Sequence, residues 1–303
     1  MRVRIIYNPT SGNESFKYDL TEIIEKLTER GYLVEVTPTR SKGNATDLAA
    51  SASDSGVDLI IAAGGDGTLN EIVNGVMKSK NLPEILFIPS GTTNDIASTL
   101  DIPKDPIKCL NLLDDGVVAK IDVGKINDKY FVYEASTGVF TKVTYTTPSL
   151  LKTHLGYYAY LISSIQEIPK LEKPNRYEIE VDGEIIDDDY VFIMFSNTTG
   201  FGGFKNIFRE TKLNDGKFDI TLVPKANIKL VGDAINSILR GVSKKNKDIG
   251  FVYKTASKIT VKCGADTNWN IDGELGPTGN IEISNQKQAI KIYVSKKAHK
   301  KLF

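Results

Sequence analysis

Short apolar, β-branched runs alternate with segments of helical periodicity from the start of the chain to residue 116. The strand-like runs are 3–8, 32–39, 57–63 and 84–89. The helical segments follow them, near 15–30, 44–53, 68–78, 92–100 and 106–116. Asn44 is a suitable N-cap for the second of these helices. Strict alternation predicts an α/β domain with a doubly wound, mostly parallel sheet.

The pattern changes near residue 121, where short strand-like segments separated by polar turns begin. A hairpin turn is predicted at 127–129, and helices are predicted near 149–168 and 227–241. Many short strands predict a β-rich second domain, an antiparallel sandwich or barrel. We therefore place one domain at 1–122 and the second at 123–294, and we expect the tail 295–303 to return to the first.

Composition narrows the class of protein. A chain of 303 residues usually forms two domains, and its 38 basic and 38 acidic residues balance, so bulk charge does not indicate a nucleic-acid partner. Two histidines exclude a histidine-rich metal site, and Cys109 and Cys263 are expected to be reduced, packed thiols. Without an apolar run of about 18 residues or a signal-peptide core, the sequence predicts a cytoplasmic protein that meets any lipid at the membrane surface.

The segment "AAGGDGTLNE" (62–71) follows the apolar run "VDLII" and opens a helix. Glycines at such a junction leave backbone N–H groups exposed, and a helix N-terminus adds partial positive charge, so the segment is suited to binding phosphate. It matches neither GxxxxGK[ST] nor GxGxxG. The alternative is a tight turn that needs glycine, with Asp66 as a helix cap.

Two further loops of this kind favour the phosphate interpretation. "PSGTTNDIA" (89–97) and "YNPTSG" (7–12) also follow predicted strands. In a parallel sheet all three loops lie at the carboxyl edge, where ligands bind, so we predict a nucleotide site there. Asp66 and Asp95 would face each other and hold Mg²⁺ through water or neutralise a lysine; alternatively they supply negative charge at helix N-termini.

Five motifs occur in an order and spacing that resemble a known family: "NPTSG" (8–12), "GGDGTLNE" (64–71), "GTTND" (91–95), "LNDG" (213–216) and "DGE" (272–274). Together they resemble the soluble bacterial diacylglycerol kinases, relatives of the eukaryotic diacylglycerol, sphingosine and ceramide kinases. The resemblance covers nearly the whole chain. GGDG alone is shared with NAD kinases and phosphofructokinases, but NPTSG together with the late LNDG and DGE disfavours an NAD kinase.

This resemblance implies an ATP site between the two domains. The residues expected to line ATP are Asn8, Pro9, Thr10, Ser11, Gly12, Thr39, Gly65, Asp66, Gly67, Thr68, Leu69, Asn70, Glu71 and Thr92. It also implies a structural Mg²⁺ bound by Asp215 and by backbone oxygens of Lys212 and Lys217. The segment "FRETKLNDGKFD" departs from relatives, because it lacks their Pro-Ala and places Lys217 beside the metal. The alternative for this segment is an ordinary Asp-Gly hairpin turn.

Phosphoryl transfer to an alcohol needs a group that accepts the hydroxyl proton. Because histidine is scarce, we expect a carboxylate, and "NIDGE" offers Asp272 and Glu274. The same letters occur in "VDGE" (181–184), which we interpret as a solvated turn between strands. Family position selects the later copy. We favour Glu274 as the base with Asp272 as its partner, although the residues alone do not rank the two.

Lipid contact has weaker signals. The apolar stretch 149–165 would line an acyl-chain channel or form ordinary core, and basic clusters at 240–247 and 296–301 would bind anionic headgroups or be solvated surface. The sequence as a whole predicts an ATP- and Mg²⁺-dependent kinase of diacylglycerol that acts at an anionic membrane surface. A kinase of another lipid or small alcohol, and a nucleotide-binding regulator without turnover, are the alternatives. Whether the chain forms a homodimer stays open.

Overall fold

The structure is a computed structural model that describes residues 1–12, 16–91, 93–138, 175–200, 207–225, 241 and 251–303. These residues divide into two compact units. The first contains Met1–Val123 together with Lys287–Phe303, and the second contains Gly124–Gln286. The apolar stretch 149–165 and both helices predicted beyond residue 121 lie outside the described residues, apart from Gly241, which is not helical.

The first unit is built on a parallel sheet. Its strands are β1 (Arg2–Tyr7), β2 (Leu33–Pro38), β3 (Leu59–Gly64) and β4 (Glu84–Pro89). They lie in the order β2-β1-β3-β4, every neighbouring pair is parallel, and the end of the last strand of the chain pairs in parallel with β4. Every residue of β3 is buried, as an apolar central strand requires. The predicted mostly parallel sheet is confirmed.

Helices connect these strands. They are α1 (Phe16–Glu29), α2 (Asn44–Asp54), α3 (Asp66–Val76), α4 (Asp95–Thr99), α5 (Pro106–Leu110), α6 (Leu112–Asp115) and, near the C-terminus, α7 (Lys296–Leu302). The single helix predicted over 106–116 is therefore two short helices, divided at Asn111.

The prediction that Asn44 caps α2 is wrong. Gly43 is the N-cap residue, with φ 84°, and Asn44 is the first helical residue. The Asn44 Oδ1 atom instead accepts a hydrogen bond from the Arg40 N–H at 3.0 Å. The capping acceptor comes from a different helix, because the Glu71 carboxylate of α3 accepts the N–H groups of Gly43 and Ala45 at 2.7 and 3.1 Å.

The second unit is β-rich. Its strands are β5 (Val117–Ile126), β6 (Lys129–Phe131), β7 (Glu134–Gly138), β8 (Asn175–Val181), β9 (Glu184–Ser196), β10 (Phe218–Pro224), β11 (Val252–Ala256), β12 (Lys258–Lys262), β13 (Asn268–Ile271), β14 (Glu274–Thr278) and β15 (Ile281–Val294), of which β5 and β15 continue into the first unit. Neighbouring strands run antiparallel in the order β14-β13-β7-β9-β8-β12-β15, and β10 lies between β9 and β11.

The core of this unit lies on one face of its strands. Trp269 is fully buried and stacks against Phe195, with ring centroids 5.9 Å apart, while Phe131 contacts Phe218 at 5.4 Å. The predicted hairpin turn at 127–129 is confirmed, because Ile126 pairs with Lys129 between β5 and β6. The β-rich second domain expected from the sequence is therefore present.

Candidate active site

Three loops meet at the carboxyl edge of the parallel sheet, after β1, β3 and β4. Gly12 has φ +56°, and a Cβ atom there would overlap the Ser90 carbonyl oxygen. A Cβ atom on Gly91 would lie 2.6 Å from the Gly65 Cα atom. Both spacings are too short for any side chain, so the backbones approach each other as only glycine permits. The three phosphate-type loops therefore come together, as the order of strands predicts.

The first loop is preformed by a side chain. The Asn8 Oδ1 atom accepts the Thr10 N–H at 3.0 Å and the Thr10 hydroxyl at 2.9 Å. The Ser11 N–H donates to the Asn8 carbonyl at 3.2 Å, and the Thr39 N–H donates to the Tyr7 carbonyl at 2.8 Å. An Asn side chain that closes its own turn fixes the backbone, and it leaves less conformational entropy to be lost when a ligand binds.

Asp66 joins the second loop to the third. Its Oδ2 atom accepts the Asp95 N–H at 3.0 Å and its Oδ1 atom accepts the Ile96 N–H at 3.3 Å. The carboxylate of Asp66 therefore caps α4, the helix that Asp95 begins, and Asp95 itself is buried. The two residues are brought together through the Asp66 carboxylate and the main chain of Asp95. The contacts of Asp66 match the interpretation in which it supplies negative charge at a helix N-terminus.

Several side chains expected to line ATP point elsewhere. Leu69 is fully buried in the core, and the Glu71 carboxylate caps α2. The Asn70 Oδ1 atom accepts a hydrogen bond from the Asn74 side chain at 3.1 Å, within α3. Thr92 lies outside the described residues. Any contribution of this segment to a nucleotide would come mainly from the backbone near Gly65 and Gly67.

Ser90 is a site residue that the motif analysis did not select. Its hydroxyl is buried and has no hydrogen-bond partner among the described residues. It lies between the β4 end and Gly91, against the loop of Gly12. A buried hydroxyl without a partner costs free energy, so this position favours a ligand oxygen at the loop edge. The sequence signals for Ser90 were its place in the loop 89–97 and at the end of a buried strand.

The DGE segment forms a two-residue hairpin turn between β13 and β14. Asp272 and Gly273 have φ values of 49° and 83°, and Ile271 pairs with Glu274. Asp272 is only 3% exposed. Its Oδ2 atom accepts the Val132 N–H at 2.7 Å. Its Oδ1 atom accepts the N–H groups of Tyr133 and Glu134 at 3.0 and 2.9 Å. Glu274 is exposed.

The candidate Mg²⁺ ligands lie in the loop that precedes β10. Asp215, Lys212 and Lys217 are all exposed, and the Asp215 Oδ1 atom accepts the Lys217 N–H at 3.0 Å. One carboxylate plus backbone oxygens fits Mg²⁺, which prefers oxygen ligands and keeps several waters. In the part of the chain that the structure describes, no group of three or more His, Cys, Asp or Glu side chains could hold a metal. A metal here would therefore depend on the carbonyl oxygens.

Of the two basic clusters expected to bind headgroups, the structure describes mainly the second. The cluster 240–247 lies outside the described residues, apart from Gly241. The cluster 296–301 forms most of α7, where Lys297 makes an ion pair with Asp101 at 3.1 Å. Among the described residues, no helix is both long enough and apolar enough to cross a bilayer.

Glycine loops that converge at the carboxyl edge of a parallel sheet define a candidate phosphate site in the first unit. The family models that match the chain place it in the kinase class of phosphotransferases. The family model for the diacylglycerol kinase catalytic domain matches residues 2–126. The model for the YegS C-terminal NAD kinase beta sandwich-like domain matches residues 134–294.

Relatives cover almost the whole chain. A Bacillus subtilis protein named diacylglycerol kinase is 38% identical over 302 residues, which is 99% of each chain. A protein of that name from Staphylococcus epidermidis is 38% identical over 295 residues, 97% of this chain and 92% of its own length. This chain belongs to the diacylglycerol kinase family and is a lipid kinase.

Solved structures agree on the fold. A Bacillus anthracis crystal structure matches with a TM-score of 0.82 at 25% identity and covers 98% of this chain and 96% of its own. The crystal structure of a diacylglycerol kinase from the same organism has a TM-score of 0.78 at 23% identity and covers 98% of both chains.

Proposed function

We propose that this protein transfers the γ-phosphoryl group of ATP to the free hydroxyl of diacylglycerol and so forms phosphatidate. The single observation that carries the proposal is the close approach of the three loops at Gly12, Gly65 and Gly91. Backbone amides clustered at a sheet edge are suited to a polyphosphate, and the names of the relatives supply the acceptor.

In this proposal the phosphates of ATP bind to backbone N–H groups of the loops after β1, β3 and β4. The N-terminus of α3, at Asp66 and Gly67, adds partial positive charge. The Ser90 hydroxyl would donate to a phosphate oxygen, which would satisfy its buried polar group. Asp66 acts as a positioning residue, since its carboxylate fixes the third loop to the second.

Glu274 is the proposed general base. The acceptor oxygen attacks the γ-phosphorus, the bond from that phosphorus to the β,γ-bridging oxygen breaks, and ADP leaves with the electron pair. The hydroxyl proton passes to the Glu274 carboxylate, which is exposed at the start of β14. Asp272 is better suited to positioning than to proton transfer, because both of its carboxylate oxygens already accept backbone N–H groups.

Mg²⁺ would be held by the Asp215 carboxylate with carbonyl oxygens of Lys212 and Lys217. When bound, the cation would supply positive charge that braces the loop in which the Asp215 carboxylate accepts the Lys217 N–H. Diacylglycerol stays in the bilayer, so the enzyme would bind transiently to an anionic membrane surface, and basic side chains such as those of α7 would assist.

The test is transfer of label from γ-labelled ATP to a panel of acceptors in mixed micelles. The panel contains diacylglycerol, monoacylglycerol, a sphingoid base and glycerol. We expect label in phosphatidate, dependent on Mg²⁺ and increased by anionic lipid. Label in another acceptor alone would replace diacylglycerol as the substrate. ATP binding without any transfer would overturn the proposal in favour of a nucleotide-binding regulator.

A further inference from the structure

The second unit contains a buried polar surface on the sheet face opposite its apolar core. Along β7, β9 and β10, alternate residues belong to the core, among them Ala135, Phe195 and Ile220. The residues between them face the other way, because side chains alternate along a strand. The polar members of that second face are Glu134, Ser136, Ser196, Asp219, Thr221 and Asn270, and we call them the polar face; the apolar Phe192, Met194 and Val223 lie on the same side of the sheet.

The strand register places these side chains in rows. Ser196 pairs with Glu134 on one side and with Asp219 on the other. In the next row Ser136 pairs with Asn270, and Thr221 pairs with Met194. Residues directly opposite each other in antiparallel strands point to the same side, so both rows belong to one surface.

Each member of the polar face is at most 6% exposed. One end of the surface is internally satisfied, because the Asp219 carboxylate accepts hydrogen bonds from the Thr211 hydroxyl at 2.5 Å and from the Tyr253 hydroxyl. Burial and the neighbouring Asp219 raise the pKa of Tyr253, so its hydroxyl remains a donor. Phe208 stacks on Tyr253 at 6.4 Å and covers this end.

Two hydroxyl groups in the middle of the surface are not satisfied. Ser196 and Thr221 are completely buried, and their hydroxyl oxygens have no hydrogen-bond partner among the described residues. They are diagonal neighbours in the register, a relation that separates residues by about 7–8 Å. A buried hydroxyl that makes no hydrogen bond is destabilising, and in a native protein such a group calls for a partner such as a water, an ion or a ligand.

The side chains of the surface limit what that partner can be. Glu134 and Asp219 lie in the same row and offer carboxyl oxygens rather than basic groups, so the surface does not suit an anion such as a phosphate. Hydroxyl groups suit a neutral ligand with several oxygens, since a serine or threonine hydroxyl both donates and accepts. Two oxygens of a glycerol ester can span the two hydroxyls.

The polar face also begins beside the hairpin between β13 and β14. The Glu134 N–H donates to the Asp272 Oδ1 atom at 2.9 Å, and the Asp272 N–H donates to the Glu134 carbonyl at 3.0 Å. Asp272 therefore fixes the first residue of the polar face to the hairpin that carries Glu274. A ligand on this face would be held by the same part of the unit.

We propose that Ser196 and Thr221 bind the ester and hydroxyl oxygens of the diacylglycerol glycerol backbone, so that the polar face is the acceptor subsite. This inference rests on the proposed function and adds the residues that select the acceptor. It assigns substrate binding, rather than chemistry, to the two hydroxyls.

The test compares Ser196→Ala and Thr221→Val with the parent enzyme in mixed micelles. Loss of one neutral hydrogen bond of about 1 kcal/mol corresponds to a rise of about fivefold in KM for diacylglycerol. The KM for ATP should not change. The melting temperature should not fall, because neither hydroxyl has a hydrogen-bond partner among the residues that the structure describes. A purely structural role would instead lower the melting temperature and leave both KM values unchanged.

Two control variants separate the sites. Thr137 lies on β7 facing the core side, and its hydroxyl donates to the Asn268 carbonyl at 2.8 Å. Thr137→Val should therefore lower the melting temperature and leave the KM for diacylglycerol unchanged. Ser90→Ala should raise the KM for ATP alone.

Three results decide the matter. A raised KM for diacylglycerol only, in both variants, supports the subsite. An unchanged KM for diacylglycerol, or an equal rise in both KM values, overturns it. A parent enzyme that transfers no label to diacylglycerol overturns the proposed function itself. Direct binding of dioctanoylglycerol to the parent and Ser196→Ala proteins then tests the subsite alone. Equal affinities of the two proteins would refute the subsite.

Discussion

The second unit contains the letters Asp-Gly-Glu twice, in "VDGE" (181–184) and in "IDGE" (271–274). Both copies form the same two-residue turn between antiparallel strands. Asp182 and Gly183 have φ values of 46° and 92°, close to the 49° and 83° of Asp272 and Gly273. Local sequence therefore determines the turn, as expected for Asp-Gly between strands.

The surroundings of the two turns differ. The earlier aspartate is exposed, and its Oδ1 atom accepts three long hydrogen bonds from Ser257 and Lys258 at 3.2–3.3 Å. The later aspartate is buried and accepts three backbone N–H groups at 2.7–3.0 Å. Glu184 forms an ion pair with Lys254. Two identical turns thus acquire different roles from what packs around them, which four predictions can test.

The largest effect is the expected difference in kcat between variants of the two glutamates. Glu274→Gln removes the proposed general base, and general-base assistance typically contributes ~10²–10⁴-fold, so kcat should fall by that factor. The KM for ATP should change little. Steady-state assays with diacylglycerol measure both constants.

Glu184→Gln is the matched control and should keep full kcat. If Glu274→Gln keeps its kcat while Asp272→Asn or Asp66→Asn loses activity, the base is one of those aspartates. If both glutamate variants lose activity equally, the distinction between the two turns fails.

The second effect concerns stability. Asp272→Ala removes the acceptor of three buried backbone N–H groups, those of Val132, Tyr133 and Glu134. Since each unsatisfied buried donor costs about 1–3 kcal/mol, the free energy of unfolding should fall by about 3 kcal/mol or more. Asp182→Ala should cost about 1 kcal/mol or less, because water replaces the exposed carboxylate. Urea denaturation of both variants measures the difference, and equal losses would contradict it.

Much of the fold follows from local patterns in the sequence. The parallel strands were predictable because β-branched runs such as 57–63 alternate with helical segments, and β4 covers the predicted residues 84–89. The hairpin at Asn127 followed from its turn residues. The cap of α2 could not be predicted, because its acceptor, Glu71, is 26 and 28 residues away from the N–H groups that it binds.

The candidate site was predictable to a smaller extent. Motif order located the loops of Gly12, Gly65 and Gly91, but it did not show that the Glu71 carboxylate would be used within the fold. The role of Asp272 depends on the N–H groups of Val132, Tyr133 and Glu134, about 140 residues earlier in the chain. The polar face depends on strand register, which no single segment encodes.

The third effect is a loss of stability that should be equal in the two turns. Gly273→Ala and Gly183→Ala both place a side chain in the left-handed region, which costs about 1–2 kcal/mol. A Cβ atom at Gly273 would lie 3.4 Å from the Tyr133 hydroxyl, and at Gly183 it would meet nothing within 4 Å, so neither adds a severe clash. Thermal unfolding should show losses within about 1 kcal/mol of each other. A much larger loss at Gly273 would mean that the turns are not equivalent.

The smallest effect concerns the ion pair between Lys254 and Glu184 of the earlier turn. The Lys254 ammonium lies 2.6 Å from the Glu184 carboxylate, whose side chain is 67% exposed. Exposed pairs of this kind contribute about 0.2–1 kcal/mol, so Lys254→Met should lower the free energy of unfolding by no more than that. The loss should shrink in 1 M salt, where the screening length is about 3 Å. Urea denaturation at low and high salt measures both quantities. Kinase activity should be unchanged, because the loss of the ion pair does not give Glu184 the surroundings of Glu274. A changed kinase activity in Lys254→Met would show instead that the ion pair, and not the packing around the turn, prevents Glu184 from taking part in catalysis.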